Sequence, residues 1–271
     1  MESTIYVDNN RFKVDLSSPL DISIPLNFNG EQVNYFHVPS ATAFPFQKGK
    51  VIGDTKKGGG CNFDTVSIIP HCQMTHTECV GHIVNEHIYV NQFPLIGLKT
   101  AFLISVTPEI GSNRTEIKSD YFSEGDRLIS GKLITEKIEK MKQFAEVLIV
   151  RTLPNSDIKR TMKYDENNIP PYFLLSAIEV IKNAGFKHLC IDLPSLDRIV
   201  DGGELESHHL FWDVPLNSHS LSQSKPSPST ITELIYVSNQ IKDGFYLINL
   251  QVANMALDAS PSRPILFPIL S

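Results

Sequence analysis

Three histidines and one glutamate lie within twelve residues of one another in the first third of the chain. They are His71, His76, Glu78 and His82, and they follow a short predicted strand at 66–69. Neutral imidazole nitrogens and carboxylate oxygens are ligands that Zn²⁺ and similar divalent ions favour. If this stretch is extended, His76 and Glu78 point to the same side, because strand side chains alternate with a period of two. The cluster therefore predicts a divalent-metal site.

A second histidine group follows a later predicted strand. His208 and His209 come after the strand at 188–192 and a loop that contains Asp197. In open α/β sheets, functional groups gather beyond the carboxyl ends of the strands. The pair is therefore either a second set of ligands or two surface histidines.

Two of the four cysteines lie inside the first histidine group. Cys72 and Cys79 are additional candidate ligands, and Cys79 stands between His76 and His82. A thiol beside a base is also the arrangement of a cysteine nucleophile, which leaves a cysteine-dependent enzyme as an alternative. Four cysteines in 271 residues do not form a dense disulfide framework. A reducing cytoplasm is the expected location.

Composition excludes several classes of protein. The chain has 271 residues, 41% hydrophobic, and a net charge of −6, which predicts a globular domain with a full-sized core. We expect no nucleic-acid partner because no basic stripe is present. We expect no membrane span, since no apolar run approaches 18 residues, and no signal peptide is visible at the start. Without a repeat or a long linker, we expect a single domain over residues 1–271.

The elements that must position these residues alternate in type. An N-terminal hairpin at 4–16 is followed by a loop-rich stretch, and a buried strand is predicted at 101–106. Alternating helices and strands follow, which predicts an α/β protein whose parallel or mixed sheet has helices packed on a face. A Ser/Pro-rich insertion is expected at 218–229, and the apolar tail at 258–268 is expected to pack against the body. The remaining predicted elements are helices at 134–145 and 172–183 and strands at 147–150, 188–192, 231–237 and 245–252.

Residues 76–82, read together with His71, resemble the signature H-x-G-T-H-x-D-x-P-x-H of the cyclase superfamily. That superfamily includes the bacterial zinc-dependent kynurenine formamidases, and the isatin hydrolases are relatives. Other stretches resemble its motifs in the same order, so that the resemblance spans most of the chain. They are residues 15–19, 191–197, 207–209 and 232–234.

The resemblance implies a role for each matching residue. His82 is expected to be the general acid/base, and the bound ion is expected to be Zn²⁺, Mn²⁺ or another divalent metal. The implied fold is a single α/β domain of the swivelling β/β/α type, and the implied assembly is a homodimer or homotetramer. The expected partner is a small-molecule substrate. The implied metal ligands are His71, His76, Glu78, His208 and Glu233.

The sequence departs from the signature in ways that leave ligands open. His71 lies five residues before His76 where the signature has four, and Cys72 occupies the expected spacing. Cys72 therefore remains an alternative to His71, and His209 remains an alternative to His208. In addition, Met74 replaces the glycine of the signature, Glu78 its aspartate and Val80 its proline.

The expected function is metal-dependent hydrolysis of a C–N amide bond in a formamide or a cyclic amide. Metal-bound hydroxide would be the nucleophile, and His82 would pass the proton to the leaving nitrogen. Such an activity would be similar to the arylformamidase of tryptophan catabolism. The alternatives are a diverged, non-catalytic member that binds a small molecule, and the cysteine-dependent enzyme that uses Cys79.

Overall fold

Strands make up most of the regular structure in the computed structural model, which describes residues 2–7, 10–93, 95, 97–111, 122–141, 145–221 and 226–270. The α-helices within these residues are α1 (Pro70–Gln73), α2 (Gly131–Ile138), α3 (Leu175–Asn183) and α4 (Glu206–Trp212). Short 3₁₀ turns lie at Thr55–Lys57, Val80–His82, Val90–Gln92 and Asp157–Arg160. The strands are β1 (Glu2–Val7), β2 (Asn10–Asp15), β3 (Leu20–Asp21), β4 (Asn34–Tyr35), β5 (Thr42–Pro45), β6 (Gln47–Lys48), β7 (Val51–Ile52), β8 (Asp64–Ser67), β9 (His76–Glu78), β10 (Leu98–Val106), β11 (Glu109–Ile110), β12 (Arg127–Ile129), β13 (Val147–Thr152), β14 (Lys163–Tyr164), β15 (Tyr172–Phe173), β16 (His188–Ile191), β17 (Thr230–Glu233), β18 (Gly244–Asn249), β19 (Ala259–Pro261) and β20 (Ile265–Leu270).

One mixed sheet organises the molecule. Its strand order is β1-β2-β20-β18-β10-β13-β16-β17-β9-β19, with β3 paired to β20. The central strands β10, β13, β16 and β17 run parallel to one another, whereas β10 pairs antiparallel with β18 and β17 with β9. The α/β fold with a mixed sheet and helices on a face is therefore confirmed.

The central strands are buried on both faces. In β13, Leu148 and Val150 pack in the same core cluster as the helices, whereas Val147 and Ile149 pack in a second cluster on the opposite face. Strand side chains alternate between faces, so a strand covered on both sides needs an apolar residue at every position. This explains why the strands read as continuous apolar runs in the sequence. Residues of α2, α3 and α4 cover the first face.

Most predicted elements are present, with shifted ends. The hairpin is confirmed as β1 paired with β2, and its turn residues 8 and 9 lie outside the described residues. The first predicted helix ends at Ile138, earlier than expected, and 142–144 lie outside the described residues. The second begins at Leu175, because Tyr172 and Phe173 instead form a strand that pairs with β12.

The last predicted strands are shorter than expected. Strand β17 ends at Glu233, since Leu234 adopts a left-handed φ of 53° that breaks the extended backbone.

The predicted strand at 66–69 lies earlier, at Asp64–Ser67, and Pro70 begins a helix. The tail packs as expected, with β20 between β2 and β18. None of the helices in the described residues is long and apolar enough to cross a membrane.

Candidate metal centre

Two neighbouring strands place the first group of candidate ligands. In the antiparallel pairing of β9 with β17, His76 lies opposite Glu233, and Nε2 of His76 lies 3.5 Å from Oε2 of Glu233. Glu78 is two residues further along β9, so it faces the same side as predicted. All three side chains are buried, and their ligand atoms lie within 4.8 Å of one another.

The residue between the two ligands of β9 faces the other way. The hydroxyl of Thr77 forms a 2.7 Å hydrogen bond with the hydroxyl of Thr232 on β17, and both side chains are fully buried. A shift of one residue would turn every side chain of β9 to the opposite face. The threonine pair therefore stabilises the register that keeps the ligands together.

A second group of candidate ligands shares Glu78. His71 on α1 and His82 in the Val80–His82 turn each face Oε2 of Glu78, at 3.5 and 3.9 Å from their Nε2 atoms. Their imidazole rings stack with centroids 4.5 Å apart. Glu78 thus belongs to both groups of donors. Although burial opposes its charge, His82 and a hydrogen bond from His208 hold the pKa of Glu78 below its ordinary value.

Helix α4 brings in His208. Its Nε2 lies 3.1 Å from Oε1 of Glu78 and 3.7 Å from Oε1 of Glu233. Its Nδ1 donates a 2.5 Å hydrogen bond to Oδ2 of Asp197. Burial opposes protonation, but the surrounding carboxylates, Asp197 first among them, raise the pKa of His208 well above its ordinary value.

The carboxylate of Asp197 also caps helix α4. It accepts hydrogen bonds from the backbone N–H groups of Ser207, at 2.7 Å, and His208, at 3.3 Å. The residue at the N-cap position, Leu205, offers no side-chain oxygen. One carboxylate therefore sets both the start of the helix and the orientation of the histidine ring. The sequence analysis noted Asp197 within a matching stretch but gave it no role.

The backbone sets the orientation of the His76 ring. Its Nδ1 lies 3.0 Å from the carbonyl oxygen of Met74. A carbonyl oxygen only accepts, so Nδ1 carries the proton and Nε2 presents a lone pair to Glu78 and Glu233. A metal-ligating histidine usually donates its other N–H in this way.

Asp258 is a site residue that the sequence analysis missed. Its Oδ2 accepts a 3.2 Å hydrogen bond from Nδ1 of His82 and lies 3.0 Å from Nε2 of His71. The residue reaches the site because β19, which it precedes, pairs with β9. A single aspartate at the start of a Pro-rich tail carries no sequence signal for this pairing.

Four buried atoms in the site have no hydrogen-bond partner. They are Nε2 of His71, Nε2 of His76, Oε2 of Glu78 and Oε1 of Glu233. The contact of His71 with Asp258 is close but lacks hydrogen-bond alignment. Leaving a buried polar group unpaired costs about 1–3 kcal/mol, and divalent metal binding at the two groups of nitrogen and carboxylate oxygen donors would give these atoms partners. The residues present therefore fit a divalent metal.

The alternative ligands lie elsewhere. Cys72 packs in an apolar cluster with Ile24 and Leu234, and burial raises the pKa of its thiol to about 11. The thiol of Cys79 lies 3.6 Å from the carbonyl of Ile88, and burial raises its pKa to about 12. Both thiols are protonated near neutral pH, which disfavours a cysteine nucleophile, and neither thiol belongs to the two groups of donors.

The choice between the adjacent histidines also has a geometric answer. Nδ1 of His209 lies 3.2 Å from the carbonyl of Val214, so this ring faces the end of its own helix. The structure thus brings His71 and His208 to the donors, rather than Cys72 or His209.

A small cavity of about 90 Å³ opens beside the donors. His71, His82 and Glu233 lie on its polar side, and Tyr35 and Phe36 supply aromatic rings whose centroids are 4.0 Å apart. Phe36 has a left-handed φ of 63°. Burial, with the nearby charge of Glu233, raises the pKa of Tyr35 far above its ordinary value, so this phenol stays neutral.

Solved structures of similar fold are hydrolases by their descriptions. A predicted metal-dependent hydrolase from Bacillus stearothermophilus is 14% identical, with a TM-score of 0.58, and the alignment covers 92% of this chain and 98% of that one. Isatin hydrolase A from Labrenzia aggregata, bound to benzyl benzoate, is 11% identical, with a TM-score of 0.62 and coverage of 93% and 94%.

An isatin hydrolase bound to the product analogue thioisatinate is 13% identical, with a TM-score of 0.62 and coverage of 93% and 92%. These likenesses establish the fold. No curated protein sequence matches the chain. The model of the family described as Putative cyclase matches residues 14–198, which is more than half of the chain. The chain therefore belongs to the Putative cyclase family.

Proposed function

We propose that this protein is a metal-dependent hydrolase that cleaves the C–N amide bond of a formamide or a cyclic amide. The observation that carries the proposal is that buried, unpartnered imidazole and carboxylate atoms from β9, β17 and α1 lie in two adjoining groups that share Glu78. Membership of the Putative cyclase family and the isatin hydrolases of similar fold support the same reaction class.

The metal ligands of the proposal are those that the resemblance implies. They are His71, His76, Glu78, His208 and Glu233, and the ion is Zn²⁺, Mn²⁺ or another divalent metal. When bound, such an ion polarises an amide carbonyl and lowers the pKa of a water molecule. The oriented rings of His76 and His208 present their Nε2 atoms to it.

His82 is the proposed general acid/base. Its Nε2 is 3.9 Å from Glu78, farther than that of His71, and 27% of its side chain is exposed at the rim of the cavity. In the proposal, this ring lies beside the attacking water, from which it takes the proton, and beside the leaving nitrogen of a bound amide. It would take a proton during attack and return it to the nitrogen as the C–N bond breaks.

The cavity supports a small aromatic amide as the substrate class. The rings of Tyr35 and Phe36, which line this cavity, favour a flat, apolar group next to the reacting bond. N-formylkynurenine, a formamide derived from tryptophan, and isatin, a cyclic amide, both carry such a group.

A metal-dependence experiment tests the proposal. The purified protein is analysed for bound metal, stripped with a chelator, reloaded with Zn²⁺ or Mn²⁺, and assayed against N-formylkynurenine, isatin and simple cyclic amides. We expect hydrolysis of at least one substrate, lost on stripping and recovered on reloading. Full activity of the metal-free protein would overturn the proposal. Less than about a tenth of an equivalent of metal with no hydrolysis would instead favour a diverged, non-catalytic binding protein.

We also propose that the protein assembles as a homodimer or homotetramer, as the resemblance implies. The strands β5, β6, β7 and β8 form an arm that supports this assembly, because all four residues of β8 are exposed and are therefore open to contact with a second chain. Exposed apolar side chains on the arm are Phe44, Val51, Phe63 and Val66. We assign a second copy of the chain to this surface. Light scattering coupled to size-exclusion chromatography should give two or four chain masses, and a Phe44→Glu/Val66→Glu variant should give one.

A further inference from the structure

His71 on α1 and His82 in the Val80–His82 turn both lie next to the carboxylate of Asp258. Oδ2 of Asp258 lies 3.2 Å from Nδ1 of His82 in an aligned hydrogen bond, and 3.0 Å from Nε2 of His71 without alignment. The aligned contact therefore belongs to His82. Asp258 lies beyond residues 14–198, the part that matches the family.

The acceptor at Nδ1 determines which nitrogen of His82 carries the proton. A carboxylate only accepts, so Nδ1 of the neutral ring carries the hydrogen. Nε2, which lies 3.9 Å from Oε2 of Glu78, is then left with its lone pair directed into the site. A ring that accepts a proton from the attacking water needs this tautomer.

The backbone keeps Asp258 in place. Its carbonyl oxygen accepts a 3.1 Å hydrogen bond from the N–H of Cys79, next to the ligand Glu78. Ala259 lies opposite Glu78 in the pairing of β19 with β9.

We propose that Asp258 is the positioning residue of His82: its carboxylate holds the ring with the proton on Nδ1 and Nε2 facing the metal centre. The proposal rests on the proposed function for the role of His82 in catalysis. The positioning itself is a property of the folded chain that can be measured without substrate.

The test uses Zn²⁺-loaded full-length protein labelled with ¹⁵N-histidine. The His82 signals are assigned from a His82→Asn spectrum and measured at a pH where the ring is neutral. We expect an Nδ1–H ring in the wild type and a shift toward Nε2–H in Asp258→Ala. Asp165→Asn is the matched control, because the carboxylate of Asp165 contacts His37, at 2.7 Å, and the backbone of residues 167 and 168, so its loss should leave His82 unchanged.

Kinetics supply the second readout. On a substrate that the wild type hydrolyses, kcat should fall by about 10²–10⁴-fold in Asp258→Ala, with KM changed less than about threefold. Zn²⁺ content should stay at the wild-type level. Asp258→Asn, which keeps the shape, serves if the alanine variant does not fold, and it should lower kcat in the same direction.

Each outcome is decisive. An unchanged His82 tautomer in a folded Asp258 variant overturns the proposal, and so does a loss of Zn²⁺ with the tautomer unchanged, because Asp258 would then act on His71. If the tautomer shifts but no protein hydrolyses any amide, the positioning is upheld and the proposed function fails.

Discussion

At the scale of single residues, hydrogen bonds to the outer nitrogens decide how the ligand rings face the centre. His208 is oriented by Asp197 and His76 by the carbonyl of Met74. The two partners differ, because a backbone carbonyl cannot be removed by substitution whereas a carboxylate can. Asp197 is therefore the point at which ligand orientation can be tested.

Replacing Asp197 with Asn should lower metal affinity by about 10–100-fold, because the ring of His208 loses its charged acceptor. The measurement is a competitive Zn²⁺ titration against a chromophoric chelator. The control is Asp201→Asn, since Asp201 accepts the backbone N–H groups of Gly203 and Leu205 in the same loop without touching His208. Equal affinity losses in both variants would contradict the role of Asp197.

His188 shows how burial alone changes the chemistry of a histidine. Its Nδ1 lies 2.8 Å from the hydroxyl of Thr230, and burial, with the positive charges of Lys99 and Lys187, lowers its pKa to about 3. No acidic residue or second histidine stands beside His188 in sequence, which indicates a structural role. Its position inside the sheet agrees with that interpretation.

The low pKa of His188 makes stability depend on pH. Between the ordinary value of 6.5 and about 3, the unfolded chain binds a proton that the folded chain does not. The free energy of unfolding should therefore fall with falling pH in this window, by up to about 1.4 kcal/mol per pH unit from this residue. His188→Asn should flatten that slope in urea denaturation between pH 7 and 4. The exposed His87→Asn should not, and parallel curves for all three proteins would refute the assignment.

At the scale of elements, the three-residue strand β9 carries two of the proposed ligands and pairs with a strand on each side. It pairs with β17 through His76 and Glu233 and with β19 through Glu78 and Ala259. The alternation of side chains was predictable from the sequence because it depends only on an extended backbone. The partners of β9 were not, because strand pairing joins residues that are more than 150 positions apart.

The Thr77–Thr232 hydrogen bond should be measurable as a coupling between β9 and β17. Thr77→Val should lower the free energy of unfolding by about 0.5–1.5 kcal/mol, because it removes the hydrogen bond between the two buried hydroxyls. The double variant with Thr232→Val should be more stable than the sum of the single losses predicts. Urea denaturation of all four proteins measures this, and additive losses would show that the two hydroxyls do not interact.

Element ends were less predictable than element types. The period of the apolar residues indicated a helix at 172–183, but Tyr172 and Phe173 pair with β12 and the helix begins at Leu175. Helical periodicity reports which face is buried, and the two aromatic residues are buried in either structure. The end of β17 likewise depends on the left-handed Leu234, whose conformation its residue type does not reveal.

At the scale of the whole molecule, the site joins residues from the first third of the chain to residues near its C-terminal end. Ligands between positions 71 and 82 meet Glu233 and Asp258 only after β9, β17 and β19 have paired. The resemblance identified the candidate ligands because the motifs that contain them occur in this chain in the same order as in the family. The resemblance does not include Asp258, because this residue reaches the site only through the pairing of β19 with β9.

Because the site forms only in the folded chain, metal should stabilise the whole protein. A ligand at 100 times its Kd adds about 2.7 kcal/mol to the free energy of unfolding, which raises Tm by roughly 5–10 °C for a domain of this size. Differential scanning fluorimetry with Zn²⁺ and with chelator measures the shift. His76→Ala should show little of it, and a full shift in that variant would place the bound metal elsewhere.

Glu78 is the one residue common to both groups of donors, and this has a consequence for stoichiometry. Ions held by both groups would share the single negative charge of Glu78, and the second group would also take up His82, the proposed acid/base, so the second ion should bind more weakly than the first. A calorimetric titration should then show two unequal steps rather than two identical sites, and Glu78→Gln should weaken both steps together. If the purified protein contained between one and two ions per chain, the tighter position would be occupied in most molecules and the weaker one would be largely empty.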